Sequence, residues 1–156
     1  MADLTKQLTL KPKAMLSAKP SDLLSQMIQI GRDSKLPVME TILDSIARLE
    51  RRAGISINDY LDFGNKTDQT LKYQTCEEQH LIGEFNSRNK LHGRGIKIHS
   101  NGFIFMQFWD SGDDAPGKHI YIDSDCSFFV GEIYLKDRRL NWEGTNYLPD
   151  GTTRKY

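Results

Sequence analysis

Residues 81–85 read Leu-Ile-Gly-Glu-Phe, residues 105–109 read Phe-Met-Gln-Phe-Trp, and residues 129–133 read Phe-Val-Gly-Glu-Ile. The three stretches stand 24 residues apart, and the register extends beyond them. Gly93 pairs with Gly117, Ile96 and Ile98 with Ile120 and Ile122, and Ser100-Asn101-Gly102 with Ser124-Asp125-Cys126. After one inserted residue a third copy continues through Gly144, Thr145 and Tyr147 to Pro149-Asp150-Gly151. A period of this length signals stacked supersecondary units. Each copy reads as a short strand, a turn and a second strand, because Asn-Gly and Asp-Gly tolerate the positive φ that tight hairpin turns require. A lone hairpin is marginal in water, so the copies must share a core.

Pleating sends alternate residues to opposite faces. In 103–109 one face holds Phe103, Phe105, Gln107 and Trp109, and the other Ile104, Met106 and Phe108. In 128–134 the division is Phe129, Gly131 and Ile133 against Phe128, Val130, Glu132 and Tyr134. A sheet with water on one side alternates apolar and polar residues, and the middle of this one does not. Its second face therefore needs a cover, either the helical pair upstream or a partner protein. The expectation is that a partner supplies at least part of it, over Ile104, Met106, Phe108, Phe128 and Val130, with the acidic Asp113 and Asp114 as further contacts.

The order Gly83-Glu84-Phe85, Gly93-Arg94-Gly95, Gly102 and an aromatic strand resembles the MORN repeat, an aromatic-x-Gly-x-aromatic strand followed by Gly-x-Gly and an Asp/Asn-Gly turn. The resemblance covers residues 81–156. It departs from the pattern at Gln107 and His119, which replace glycines, and at Cys126 in the turn. It gives Gly83, Phe85, Gly93, Gly95, Gly102 and Phe105 structural roles, and likewise Trp109, Gly117, Phe129, Gly131, Gly144 and Gly151. It also implies a non-enzymatic scaffold subunit within a larger assembly, cytoskeletal or ciliary (axonemal). The same family has been linked to acidic phospholipid, so a membrane-surface adaptor is the alternative, as is a non-catalytic accessory subunit of an organelle or enzyme complex.

Upstream, the chain changes character: twelve of fifteen aromatics and nine of twelve glycines lie after residue 80. Residues 1–19 form a lysine-bearing arm with too little apolar surface to offset the entropy of ordering it. Ser21 can cap a first helix carrying Leu23, Leu24, Met27 and Ile30, ended by Gly31 and the polar Arg32-Asp33-Ser34-Lys35. Pro37 suits the first turn of a second, whose stripe is Met39, Ile42, Leu43, Ile46, Leu49 and Ala53, stopped by Gly54. A third helix is expected from about Ser56 to Phe63. The fold class is thus α+β: arm 1–19, helical region 20–64, connector or degenerate strand 65–80, and a MORN-like antiparallel hairpin sheet 81–156.

Lys+Arg and Asp+Glu balance at 21 each. This excludes a protein that grips nucleic acid mainly by neutralising phosphates. Within the balance the arm carries +3, residues 21–80 carry −3, and the repeats are neutral. No stretch approaches the roughly 18 apolar residues of a spanning helix, so the chain is not expected to be transmembrane. Without a signal-type block the expected location is cytoplasmic, at the cytoskeleton or cilium through the resemblance; a mitochondrial location without a cleaved presequence stays open. Cys76 and Cys126 are expected as free thiols. No catalytic, metal or cofactor site is expected: His80, His92, His99 and His119 lack ligand spacing, Gly93-Arg94-Gly95 lacks the lysine of a phosphate loop, and Asp110–Asp114 reads as an acidic exposed loop, not a calcium site.

Overall fold

The computed structural model describes residues 23–61 and 71–156. The arm, Ser21, and the expected helix end at Phe63 and Gly64 lie outside the described residues. The two amphipathic stripes fold as α1 (Leu23–Asp33) and α2 (Met39–Ala53). α1 ends at Asp33, inside the stretch from Gly31 to Lys35 expected to stop it. Gly31 lies buried in its last turn, where a Cβ would meet Met39 Sδ at 2.5 Å, so it makes room for α2. Gly54 does stop α2, in a left-handed conformation with φ 68° and its N–H bonded to the Glu50 carbonyl. The Glu50 carboxylate accepts the Ile57 N–H at 2.9 Å and seats the short α3 (Ile57–Tyr60).

Eight strands follow: β1 (Leu71–Cys76), β2 (Gln79–Phe85), β3 (Leu91–His99), β4 (Ile104–Asp110), β5 (Asp113–Ile122), β6 (Phe128–Lys136), β7 (Arg139–Tyr147) and β8 (Thr153–Lys155). They form one antiparallel meander in chain order, every strand paired with its sequence neighbour. The stretch around Leu71 is therefore a full strand, β1, in register with β2.

The loops explain the period. His99–Phe103, Asp123–Ser127 and Leu148–Thr152 close with the same pair of backbone bonds, first to fifth residue and fourth back to first. In each, the middle Asn101, Asp125 or Asp150 side chain accepts the N–H two residues on. The Ser127 and Thr152 side chains, and then these backbone N–H groups, hold the Asp125 and Asp150 carboxyls below the usual carboxylate range. The fourth residue always has positive φ: 96° at Gly102, 71° at Cys126 and 92° at Gly151. At the opposite hairpin ends Asn86–Lys90 repeats this closure, with Asn89 at positive φ, while the β4–β5 and β6–β7 turns are two residues long. Ser111 and Gly112 alone make the β4–β5 turn, so Asp110 and Asp113 are exposed, as expected from their acidity, but as paired strand ends and not as a loop.

The core decides the cover of the sheet. Ile82, Ile96, Ile98, Ile104, Met106, Ile120, Ile122 and Phe128 occupy one face, and all are buried in a single cluster with the α1 and α2 stripes. Val130 packs against the same cluster. This corrects the expectation of a partner over Ile104, Met106, Phe128 and Val130: the chain's own helices cover them. Phe108 is half-buried, beside Gly117 of the next strand. The helices are pinned across the sheet. Arg52 donates to the Leu148 carbonyl at 2.7 Å, and the Tyr60 hydroxyl donates to the Gly131 carbonyl at 2.7 Å. Burial, aided by the charges of Glu132 and Tyr147, pushes the Tyr60 hydroxyl up to about 12, so it remains a donor.

Two substitutions test this account. A Cβ at Gly131 would collide with the Glu143 carbonyl and lie 2.8 Å from Gly144 Cα. Gly131→Ala is expected to destabilise by about 3 kcal/mol, because backbone cannot yield as a side-chain tip can. Cys126 holds a left-handed conformation that disfavours any side chain, so Cys126→Gly is expected to stabilise by about 1 kcal/mol. Urea denaturation midpoints of the two variants against wild type check both signs.

Candidate functional site

Among the described residues no helix lies on the opposite face of the sheet. Two rows cross it. The first is Leu81, Lys97, Phe105, Tyr121, Phe129 and Asn146, in register from β2 to β7. The second is Gly83, Gly95, Gln107, His119, Gly131 and Gly144. At both ends of the second row glycines let neighbouring backbones approach: a Cβ on Gly83 would lie 2.6 Å from Gly95 Cα. In the middle two polar side chains replace the glycines.

The β2–β4 half of this face fills itself. Leu81, Phe85, Leu91 and Trp109 form a second small core. The Trp109 indole N–H donates to the Gly95 carbonyl at 3.0 Å, and Lys97 Nζ sits 4.6 Å from the indole centroid. Nearby, Glu84 is buried and accepts the Arg94 N–H at 2.6 Å and Arg94 Nε at 3.4 Å. A Cβ at Gly93 would meet that carboxylate at 2.5 Å, which is why the Gly-Arg-Gly triplet begins with glycine.

The β4–β8 half stays open as a groove of about 440 Å³. Its apolar wall is Phe105, Tyr121, Phe129, Trp142 and Tyr156. The Phe105 and Tyr121 rings stack at 4.7 Å, and Phe129 meets Tyr156 edge-on at 6.2 Å. Trp142 is 45% and Tyr156 62% exposed, so a large aromatic surface faces solvent. Asp114, His119, Asp123 and Asn146 supply the polar lining.

Hydrogen bonding fixes the state of His119. A carboxylate only accepts, so the Gln107 atom 2.8 Å from Asp114 Oδ1 is the amide nitrogen. The Gln107 oxygen then faces His119 Nδ1 at 2.7 Å, and Nδ1 must carry the proton. That leaves Nε2 as a bare acceptor. Gln107 is fully buried and His119 is 5% exposed. Burial pulls the imidazole down to about 4 against a small opposing pull from Asp114, so the ring is neutral at physiological pH. Burial, then the Asp123 charge, raises the Tyr121 hydroxyl.

The residues expected from the repeat divide between these features. Phe85 and Trp109 belong to the small core, Phe105 and Phe129 to the groove wall, and Gly83, Gly95, Gly131 and Gly144 to the close-approach row. Gly102 and Gly151 turn the loops, while Gly93 and Gly117 have positive φ within strands. Asp114, singled out only for its charge, proves to be the acceptor at the groove rim; Asp113 pairs with Asp110 and does not line it. Sequence reading passed over Tyr121, Trp142, Asn146 and Tyr156, and treated Gln107 and His119 as decay of a pattern. The usable signal was that two successive glycine positions are both replaced by groups able to bond each other.

Among the described residues no three His, Cys, Asp or Glu side chains gather as a metal site, and no helix is long and apolar enough to cross a membrane. Cys76 and Cys126 are free thiols. No family model matches the chain. Over 64 residues, 41% of the chain, it is 33% identical to the inactive protein tyrosine kinase pTKL of Plasmodium berghei (strain Anka). The chain spans about 5% of that relative's length.

The buried imidazole makes stability depend on pH. The unfolded chain takes up the His119 proton near pH 6.5, the folded chain only near 4. Between those values the unfolded state binds more protons, so acid favours unfolding. The contribution is intact above pH 6.5 and lost by pH 4, amounting to about 3 kcal/mol. Unfolding free energies of wild type and His119→Gln across that range are expected to converge as pH falls; parallel curves would show that the imidazole is not desolvated.

Proposed function

We propose that the chain is a non-enzymatic scaffold subunit of the MORN-repeat type, whose hairpin sheet holds proteins together in a larger assembly, cytoskeletal or ciliary. The observation that carries this reading is the asymmetry of the sheet. One face is spent on the helices, while the other leaves an aromatic groove open across β4–β8. An open apolar surface of this kind serves association better than solubility. The 24-residue hairpin period and the three equivalent loops support the repeat assignment. The partial likeness to a protein named as an inactive kinase fits a module that can stand inside a much longer chain.

Acidic phospholipid is the weaker partner for this face. Its polar lining includes the carboxylates Asp114 and Asp123 and no lysine or arginine, which opposes an anionic headgroup.

Cross-linking mass spectrometry on material purified from the native source tests the reading. Lys97 lies on the open face and is expected to cross-link to other subunits in stoichiometric amount. Phe129→Asp should abolish those cross-links and leave the urea midpoint within about 1 kcal/mol of wild type, as expected of a half-exposed position. Recovery of wild type as a lone monomer would overturn the scaffold assignment.

A further inference from the structure

The groove gathers two carboxylates and an imidazole nitrogen among its aromatic rings. Among the described residues no donor meets His119 Nε2, and His119 lines the groove. Asp114 and Asp123 add two carboxylates to the lining. The chain's own cations are placed elsewhere: Lys97 over Trp109, Lys118 over Tyr60 and Arg52 over Tyr147. Among the described residues none lies over Phe105, Tyr121, Phe129, Trp142 or Tyr156.

Each feature narrows the occupant. Flat aromatic faces favour a cation or another flat group. The His119 Nε2 lone pair facing the groove favours a hydrogen-bond donor over a quaternary ammonium. Two carboxylates favour positive charge and disfavour anions. Acceptors on several residues suit a donor fork better than a single point. A guanidinium meets all four conditions: it is planar, stacks on rings, carries five donors and is always charged. An aliphatic side chain would leave His119 Nε2 unsatisfied, at a cost in desolvation.

We propose that the open-face groove is the docking site for an extended segment of another protein subunit, which inserts an arginine side chain between the Phe105–Tyr121 stack and Trp142. The guanidinium is bonded there by His119 Nε2 and the groove carboxylates. This rests on the scaffold reading above and names the chemistry of the partner.

The Asp114–Gln107–His119 chain then has a purpose. Asp114 orients the Gln107 amide, the amide forces the proton onto His119 Nδ1, and Nε2 is presented as an acceptor. Gln107 is thus a positioning residue, two hydrogen bonds from the bound group.

The test uses the full chain and three synthetic pentapeptides, acetyl-Gly-Gly-X-Gly-Gly-amide, with X arginine, lysine or citrulline. Binding is followed by amide chemical shifts and by Trp142 fluorescence, with Trp142→Phe identifying the signal. The arginine peptide is expected to shift resonances of β5–β7 on the open face. It should bind at least tenfold more tightly than the citrulline peptide, which keeps donors but lacks charge, and more tightly than the lysine peptide. Asp123→Asn should weaken it about tenfold. Gln107→Leu should weaken arginine more than lysine, whereas general loosening of the fold would weaken both alike.

Equal affinity for arginine and citrulline, or shifts away from the groove, would overturn the proposal. So would binding that appears only when Lys6, Lys11, Lys13 and Lys19 are all changed to Gln, because the chain's own amino-terminal segment would then be the occupant. If the peptides fail while Lys97 still cross-links to other subunits, the arginine proposal falls and the scaffold reading stands.

Discussion

Burial of the aliphatic sheet face beneath the two helices is the constraint on which the other features depend. Hairpins paired only with their neighbours have no core of their own. Here the isoleucines of β2–β5, with Met106 and Phe128, form a continuous apolar floor, and the α1 and α2 stripes close over it. Arg52 and Tyr60 bond to backbone carbonyls near β6–β8, so the helical layer reaches the far repeats and is not confined to the first strands. With that face satisfied, the sheet can leave the other one wet.

The open face shows how a repeat protein gains a site without a new element. At the Gly83–Gly95 end of the row, backbones and small-core side chains close up. Where Gln107 and His119 stand in the row, a buried polar pair appears that needs its own hydrogen bonds. Asp114 meets that need at one end. At the other end the need is passed to the groove. Departure from the repeat pattern and appearance of a distinctive surface are one event.

Much of the architecture was legible in the sequence. The period of 24 gave the hairpins, because turns carrying Asn-Gly or Asp-Gly mark their own conformation. The helical stripes and the stop at Gly54 were equally local. Three things were not. Alternation told which residues share a face, but both faces were apolar, so it could not tell which one the helices would choose; tertiary packing made that choice. Gly31 read as part of the helix stop, and only the position of Met39 shows that it also makes room for the second helix. The groove was hidden because its members come from four strands, a loop and the residue after β8, and join only through the cross-strand register.

The meander has a further consequence, for the way the chain acquires its fold. Because every strand pairs with its immediate neighbour in sequence, most of the sheet forms through short loop closures. Such topologies fold quickly for β proteins, since little chain entropy is lost before contacts are gained. The helices are different. Arg52 reaches Leu148 across 96 residues, and Tyr60 reaches Gly131 across 71. Capping the aliphatic floor is therefore the long-range step, and until it happens a preformed sheet exposes isoleucines on one side and aromatic rings on the other. In that interval the molecule is most open to association with the wrong neighbour.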